Sequence, residues 1–279
     1  MSLTSFLAKL KPRTTQKFSV SETALLSVIS IALSVFIVVR PPLVPSPNHV
    51  AAPTVKKHAS SNDEKAKAPP ATTDLAKQPK GVDLSHYQSK VNWKETKASG
   101  IAFAYSKATE GNTYVDKSFA AHRAGAAKEG ILFGAYHFYR PNDDPVTQAN
   151  HFLEVAMPSK GDLPPALDLE IAPNESQSAD YKANVLLWLK VVAAKTGCAP
   201  IVYASPSFWR THLGKDLNAY GFWLAEYSAK PNPPKTAPPW LFWQNSQKGH
   251  VAGIVGMVDV DTASSSQALI DSLCEGTKS

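Results

Sequence analysis

Short apolar runs alternate with longer amphipathic stretches along the chain from residue 81 onward. Runs rich in β-branched and aromatic residues predict eight strands, at Gly81–Leu84, Ile101–Ser106, Leu132–Phe138, Ala166–Leu169, Pro200–Ala204, Gly221–Ala225, Leu241–Gln244 and Met257–Asp259. The stretches between them predict helices at Trp93–Ala98, Lys117–Lys128, Pro145–Ala156, Ala179–Thr196 and Pro206–His212. This order predicts an α/β fold, an irregular TIM-like β/α barrel with eight strands and about five helices.

The hydrophobic pattern before residue 81 is of another kind. Ala24–Val39 is an uncharged apolar run of 16 residues, and Lys9, Lys11, Arg13 and Lys17 precede it. This pattern is typical of a signal sequence, but no A-x-A cleavage site follows at once. We therefore predict a transmembrane signal anchor over residues 23–40 and a basic cytoplasmic tail over 1–22, with the remainder in the periplasm or outside the cell. Secretion after signal cleavage is the alternative.

Composition changes again after the apolar run. Residues 41–79 are rich in Pro, Ala, Lys, Ser and Thr, and they predict a disordered linker because they bury too little surface to offset the entropy of ordering. A folded domain is predicted over residues 80–275. Residues 1–80 hold 11 Lys/Arg and 4 Asp/Glu, whereas residues 81–279 hold 18 and 19. The near-neutral folded part is therefore not expected to bind nucleic acid.

The chain has two cysteines, Cys198 and Cys274, and neither belongs to a C-x-x-C pair. In an oxidising compartment they can form one disulfide that closes a long loop, and two buried free thiols are the alternative. No second His or Cys stands at ligand spacing from His137, and neither a Gly-rich phosphate loop nor a G-x-S-x-G elbow occurs. We therefore expect no metal and no cofactor.

Acidic residues follow several predicted strands, at the end of a β/α barrel where active sites lie. Asp168 and Glu170 are two residues apart on a strand, so both side chains point to the same face and one pKa should rise. Glycoside hydrolysis needs such a protonated acid beside an ionised carboxylate. Glu170 reaches further and is assigned as the acid, with Asp168 as its ionised partner. A surface D-x-E pair is the alternative.

Further acids and aromatics come from other strand ends. Asp83 ends the first strand, where a helix cap or turn is the alternative interpretation, and either Asp259 or Asp261 can face inward. Seven aromatic residues, with His137, Gln244 and Asp261, are predicted to bind a polysaccharide, because sugars need both stacking rings and polar partners: Tyr87, Tyr136, Tyr139, Tyr203, Trp223, Tyr227 and Trp243. Ordinary core packing is the alternative for any one aromatic.

Six segments in order resemble glycoside hydrolase family 25, the Chalaropsis-type lysozymes: GVDLSHYQ (81–88), AYSKATEG (104–111), GAYHFY (134–139), PALDLE (165–170), FWQ (242–244) and GMVD (256–259). The resemblance covers residues 80–275. It implies an irregular barrel that cleaves the β-1,4 bond between N-acetylmuramic acid and N-acetylglucosamine in peptidoglycan glycan strands. It also implies that Glu170 is the general acid, with Asp83, Asp168 and Asp259 as the other carboxylates. The family's proposed mechanism uses the substrate's 2-acetamido group as nucleophile, oriented by an Asp.

The chain departs from the family pattern at Asp261, where Asn is common, and in its predicted anchor and linker. The extra negative charge is expected to raise neighbouring pKa values and to lower the pH optimum. A non-catalytic wall-binding module would keep the aromatics and lose the acids, whereas a chitin hydrolase would carry D-x-x-D-x-D-x-E, which is absent. We expect a monomeric catalytic domain, held at the membrane by its anchor.

Overall fold

The computed structural model describes residues 78–276. The predicted tail, the predicted anchor and all but the last two residues of the predicted linker lie outside this range. Gln78 is buried and donates a hydrogen bond from Nε2 to the backbone oxygen of Ser264, 2.6 Å away, so the fold extends two residues before the predicted boundary. No helix between residues 78 and 276 is long and apolar enough to cross a membrane.

Nine strands form one sheet in the described region: β1 Lys80–Leu84, β2 Ile101–Glu110, β3 Tyr114–Val115, β4 Leu132–Phe138, β5 Ala166–Asp168, β6 Ile201–Ala204, β7 Gly221–Ala225, β8 Trp240–Gly249 and β9 Val258–Ala263. Because β1 pairs with both β2 and β9, eight of these strands close a barrel. The short β3 only extends β2 as a hairpin. The predicted α/β barrel is confirmed.

The last strand runs against its neighbours. All hydrogen-bonded neighbours among β1, β2 and β4 to β8 run parallel to each other. The last strand, β9, is antiparallel to both β8 and β1. The prediction of a strand that ends at Asp259 is therefore wrong in its bounds and direction. Asp259 lies near the beginning of β9, opposite Asp83, and Asp261 lies opposite Gly81, one step deeper in the barrel.

Helices pack around the barrel: α1 Trp93–Ala98, α2 Phe119–Lys128, α3 Pro145–Ala156, α4 Tyr181–Thr196, α5 Pro206–Phe208 and α6 Ser266–Asp271. The first four match predicted helices, and α5 continues as a π-helical turn, Trp209–Leu213. The prediction missed α6, although Ser265 caps it by accepting a hydrogen bond from the amide of Ala268. The helix count in the described chain is thus six rather than about five.

Side chains alternate between the barrel interior and the helix layer. On β2, Phe103 and Tyr105 point inward, and the Tyr105 ring lies 4.5 Å from that of Trp223, so aromatic rings fill the barrel. Two glycines make room for these rings. A Cβ atom at Gly81 or Gly134 would lie 2.3 Å from the ring of Phe103 or Tyr105, respectively, which is closer than atoms can pack. These packed rings form the layer beneath the side chains at the carboxyl ends of the strands.

A disulfide joins Cys198 to Cys274. Cys198 lies three residues before the start of β6, and Cys274 follows α6, so the bond lies at the amino ends of the parallel strands. Backbone hydrogen bonds of Cys274 to Gly161 and Asp162 hold it there. The alternative of two free thiols does not hold, and the bond lies at the opposite end of the barrel from the acids.

Replacing both cysteines by serine is expected to lower the free energy of unfolding by about 4 kcal/mol, because the bond closes a loop that spans 76 residues. Urea unfolding of the full chain, followed by tryptophan fluorescence, measures the loss. Reduction of the unaltered protein is the matched control and should give a similar loss. Unchanged urea midpoints in both cases would show that the cross-link does not constrain the unfolded chain.

Candidate active site

A cleft of about 280 Å³ opens at the carboxyl ends of the parallel strands. It brings together nine of the predicted site residues: Asp83, Asp168, Glu170, Asp259, Tyr87, Tyr136, Tyr203, Trp223 and Gln244. These residues come from β1, β4, β5, β6, β7, β8 and β9, or from the loops that follow them. Six lining residues were not predicted: Ser85, His86, Lys107, Glu110, Phe138 and Gln247.

Three predicted substrate-binding residues lie elsewhere. His137 is fully buried, stacks on Trp188 at 5.6 Å and contacts the hydroxyl of Thr109 at 2.7 Å. Tyr139 packs against Tyr181, and Trp243 belongs to the core between barrel and helices. These three residues lie outside the cleft because successive side chains of a strand point to opposite faces. Each of them is next to an inward-pointing residue and therefore points outward. His137, Tyr139 and Trp243 are therefore packing residues of the helix layer.

Two other predicted residues adjoin the cleft without lining it. Tyr227 is half exposed, and its hydroxyl donates a 2.6 Å hydrogen bond to Oε1 of Gln244. Asp261 is fully buried beneath the cleft, where Nε1 of Trp223 donates a 2.8 Å hydrogen bond to its Oδ1. Tyr227 therefore orients a lining residue, and Asp261 supports the cleft floor instead of contacting the space above it.

The acid pair comes from the end of β5. Asp168 is buried with 7% of its surface exposed, while Glu170 is exposed in the cleft. Burial, followed by the negative charge of Glu170, raises the pKa of Asp168 well above its ordinary value. Burial also raises the pKa of Glu170, although a hydrogen bond from Asp168 opposes this shift. The two carboxyls thus share a proton, as close carboxyl pairs do.

The two members of the pair differ in burial. We expected Glu170 to hold the proton and Asp168 to be ionised, and this assignment stays a prediction. Because Asp168 is the more deeply buried of the two, the energetic cost of its charge is large, and its pKa is raised well above its ordinary value. Either group can hold the proton, and only Glu170 is exposed to a molecule in the cleft.

A second carboxyl group lies across the cleft. Nε2 of Gln244 donates a 2.7 Å hydrogen bond to Oδ2 of Asp83, and Oε1 of Gln244 accepts from Tyr203 at 2.9 Å. The tyrosine therefore fixes which way the amide points. Burial, and then the charges of Asp261 and Asp259, raise the pKa of Asp83 well above its ordinary value. Burial and the charge of Glu170 raise the pKa of Asp259 to about 6.

Lys107 brings a positive charge into this acidic cleft. It continues the inward-pointing series of β2, forms an ion pair with Glu110, and lies 4.6 Å from the ring centre of Phe138. Its charge lowers the pKa of both Asp168 and Glu170, against the effect of burial. Every second residue of β2 from Phe103 points inward, and this alternation is the signal in the sequence that places Lys107 in the cleft.

Rings form one wall of the cleft. Ser85 caps the short turn His86–Gln88, and the Gln88 side chain accepts a hydrogen bond from the Ser85 amide in return. This turn leaves Tyr87 81% exposed, with its ring 4.2 Å from that of His86. Asp116 holds His86 by accepting hydrogen bonds from its amide at 2.9 Å and its ring at 3.1 Å. The wall is a fixed, exposed stacking surface.

The arrangement suits acid catalysis on a molecule with both hydroxyls and apolar faces. The shared proton of Asp168 and Glu170 supplies an acid whose pKa is raised above the ordinary value of a carboxyl, and Asp83 and Asp259 supply acceptors. Exposed tyrosines supply stacking surfaces. The geometry thus fits a polysaccharide better than a small apolar ligand.

Known proteins resemble this chain along most of its folded part. The sequence model for "Glycosyl hydrolases family 25" matches residues 82–254. The Escherichia coli K12 protein YegX is 35% identical over 204 residues, which are 70% of this chain and 74% of that protein. Lysozyme M1 of Streptomyces globisporus is 34% identical over 228 residues, covering 77% and 76%. The crystal structure of a lysozyme from Streptomyces coelicolor superimposes with a TM-score of 0.67 at 32% identity, covering 70% of this chain and 97% of that one.

Replacing Lys107 by methionine is expected to raise the pKa of Glu170, because a positive charge that favours the ionised form is removed. Carbon-13 NMR titration of the Glu170 carboxyl in the full chain measures the pKa. The matched control is Lys107→Arg, which keeps the charge and should leave the pKa near that of the unaltered protein. Equal values in the methionine and arginine variants would contradict the electrostatic role of Lys107.

Proposed function

The chain belongs to glycosyl hydrolases family 25, and on this premise we propose that it is a muramidase that hydrolyses the glycan strands of peptidoglycan. The observation that carries the proposal is the convergence of Asp83, Asp168, Glu170 and Asp259 on one cleft that is lined with aromatic rings. The relatives named as lysozymes support the same activity.

The bond cleaved is the β-1,4 linkage between N-acetylmuramic acid and N-acetylglucosamine. Glu170 takes the proton that it shares with Asp168 and donates it to the glycosidic oxygen, which leaves with the electron pair of the broken carbon–oxygen bond. Asp168 becomes ionised in the same step. Its negative charge then lies beside the sugar carbon on which positive charge develops.

The group that attacks the sugar carbon is either the 2-acetamido group of the substrate or water. In the first case the oxygen of the 2-acetamido group attacks, and an ionised carboxylate accepts a hydrogen bond from its N–H. We assign this role to Asp168, which gains its charge as Glu170 gives up the proton. Asp259 and Asp83 lie across the cleft as acceptors for sugar hydroxyls or for the attacking water. In either case water completes the hydrolysis, by attacking the sugar carbon directly or by opening the cyclic intermediate, and Glu170, once ionised, removes a proton from it.

Aromatic side chains hold the polymer. Tyr87 presents its exposed ring at the edge of the cleft, and Tyr136, Tyr203 and Trp223 line the cleft itself. Sugar rings stack on such surfaces through their C–H faces, while the tyrosine hydroxyls remain available to sugar oxygens. All four acids come from one chain, so we propose that the catalytic domain acts as a monomer.

Replacing Glu170 by glutamine is expected to lower kcat on purified peptidoglycan by about 10²- to 10⁴-fold, because the amide cannot donate a proton to the leaving oxygen. Release of reducing ends and analysis of the muropeptides measure the loss and identify the bond cleaved. Glu175→Gln is the matched control, because it makes the same change at an exposed residue outside the cleft. It should behave like the unaltered chain.

The same experiment separates the muramidase from a non-catalytic wall-binding module. A binding module would sediment with insoluble peptidoglycan and release no reducing ends, whether residue 170 is Glu or Gln. That result would refute the proposed function. The raised pKa values in the cleft argue against it, because a surface that only binds sugar has no need of buried, protonated acids.

We further propose that residues 23–40 anchor the chain in a membrane, with the catalytic domain in the periplasm or outside the cell. The uncharged run Ala24–Val39 behind a basic segment supports this proposal, and the disulfide is typical of an oxidising compartment. The full chain expressed in bacteria should sediment with membranes and resist extraction at high pH. A chain without residues 1–40 should not sediment. Recovery of both in the soluble fraction would favour cleavage and secretion instead.

A further inference from the structure

Asp261 lies where no sugar can reach it. It is fully buried under the cleft floor, and it lies two residues after Asp259 on the same inward face of β9. Its Oδ1 accepts the hydrogen bond from Trp223, whereas its Oδ2 has no donor among the residues between 78 and 276. A buried, half-satisfied carboxyl of this kind needs a further partner.

The neighbouring strand supplies that partner. β9 pairs with β1, and the carboxyl of Asp83 lies within hydrogen-bonding reach of Asp261. Asp83 is already fixed on its other side by Gln244. Two carboxyls can satisfy each other only if one of them carries a proton and donates it.

The groups around Asp261 leave its charge uncompensated. They are Asp83 on β1, Tyr105 on β2, Trp223 on β7, Gln244 on β8 and Asp259 on β9. In the described chain, no lysine or arginine is among the groups that shift the ionisation of Asp261, and Lys107 acts instead on Asp168 and Glu170. Ionising both Asp83 and Asp261 would place two bare charges side by side in a low-polarity space.

We propose that Asp261 is a positioning residue, which binds Asp83 through one shared, buried proton and so holds Asp83 neutral against Gln244 in the working enzyme. The shared proton rests on the fold alone, and its effect on catalysis rests on the proposed function. Trp223 keeps Asp261 aimed at Asp83 and leaves the proton between the two carboxyls.

Asp261 changes its protonation over a defined pH range. Burial is the main reason that the pKa of Asp261 rises to about 7 from an ordinary value of 3.8. A carboxyl whose pKa is raised on folding stabilises the fold when it is protonated, so its contribution is complete below pH 4 and is lost as the pH rises to about 7. Above that range Asp261 is ionised and accepts the proton that stays on Asp83, because burial and the charge of Asp261 raise the pKa of Asp83 well above its ordinary value.

Asp261→Asn tests this directly, because asparagine has nearly the same shape. Its amide can accept from Trp223 and donate permanently to Asp83, without any titration. Thermal unfolding of the full chain is followed from pH 4 to pH 8. Between these limits Tm should fall at least about 5 °C further in the unaltered chain than in Asp261→Asn. Asp271→Asn, the same change at an exposed position, should parallel the unaltered chain.

Trp223→Phe is the second variant, and it decides the matter if Asp261→Asn does not fold. The change removes the hydrogen bond that favours the ionised form of Asp261. The loss of Tm should therefore move to higher pH, whereas Asp261→Asn removes this loss. Parallel Tm profiles for the unaltered chain and every variant that folds would overturn the shared proton.

Activity supplies a readout that a purely structural role would not move. The alkaline limb of kcat/KM on peptidoglycan should move to lower pH by roughly one pH unit in Asp261→Asn, because the negative charge that helps to keep the proton on Asp83 is removed. An unmoved limb, with the Tm difference present, would overturn the catalytic role and leave the shared proton standing. If the unaltered chain releases no reducing ends, the proposed function fails, and the Tm profiles still test the shared proton.

Discussion

The cost of burying negative charge governs the site at the mouth of this barrel. Five carboxyl groups, Asp83, Asp168, Glu170, Asp259 and Asp261, share a space in which Lys107 is the one lysine or arginine lining the cleft in the described chain. They cannot all be ionised at once, because the attraction of one ammonium does not offset the desolvation of five carboxylates. The fold therefore binds protons in the cleft, and an acid catalyst needs such protons.

Much of this organisation follows from local pattern. The alternation of apolar runs and helices predicted the barrel, and the acids at strand ends were expected at one face. The two-residue period held further information. Counted from Tyr136, it places Phe138 in the cleft and His137 and Tyr139 outside it; counted from Gln244, it places Trp243 outside. These corrections were available from the sequence, because they need only the parity of each strand.

Other features depend on pairing between distant segments. The direction of β9 follows from its hydrogen bonds with β1 and β8, and no residue within Val258–Ala263 signals it. The raised pKa of Asp168 likewise depends on how deeply β5 lies within the barrel. A D-x-E pattern predicts that a proton is shared, whereas the cost of each charge depends on the burial of the two carboxyls in the folded chain.

The aromatic interior connects stability with chemistry. Tyr105, Trp223 and Phe242 fill the barrel below the acids, and Trp223 also donates the hydrogen bond that holds Asp261. A filling of aliphatic residues would occupy the same volume without a donor, and the buried carboxyl would then lose its fixed direction. The indole of Trp223 packs as a core residue and also fixes the direction of the Asp261 carboxyl. The end of the barrel that holds the acids is thus built on side chains that serve both purposes, while the disulfide stabilises the opposite end, where no acid of the cleft lies.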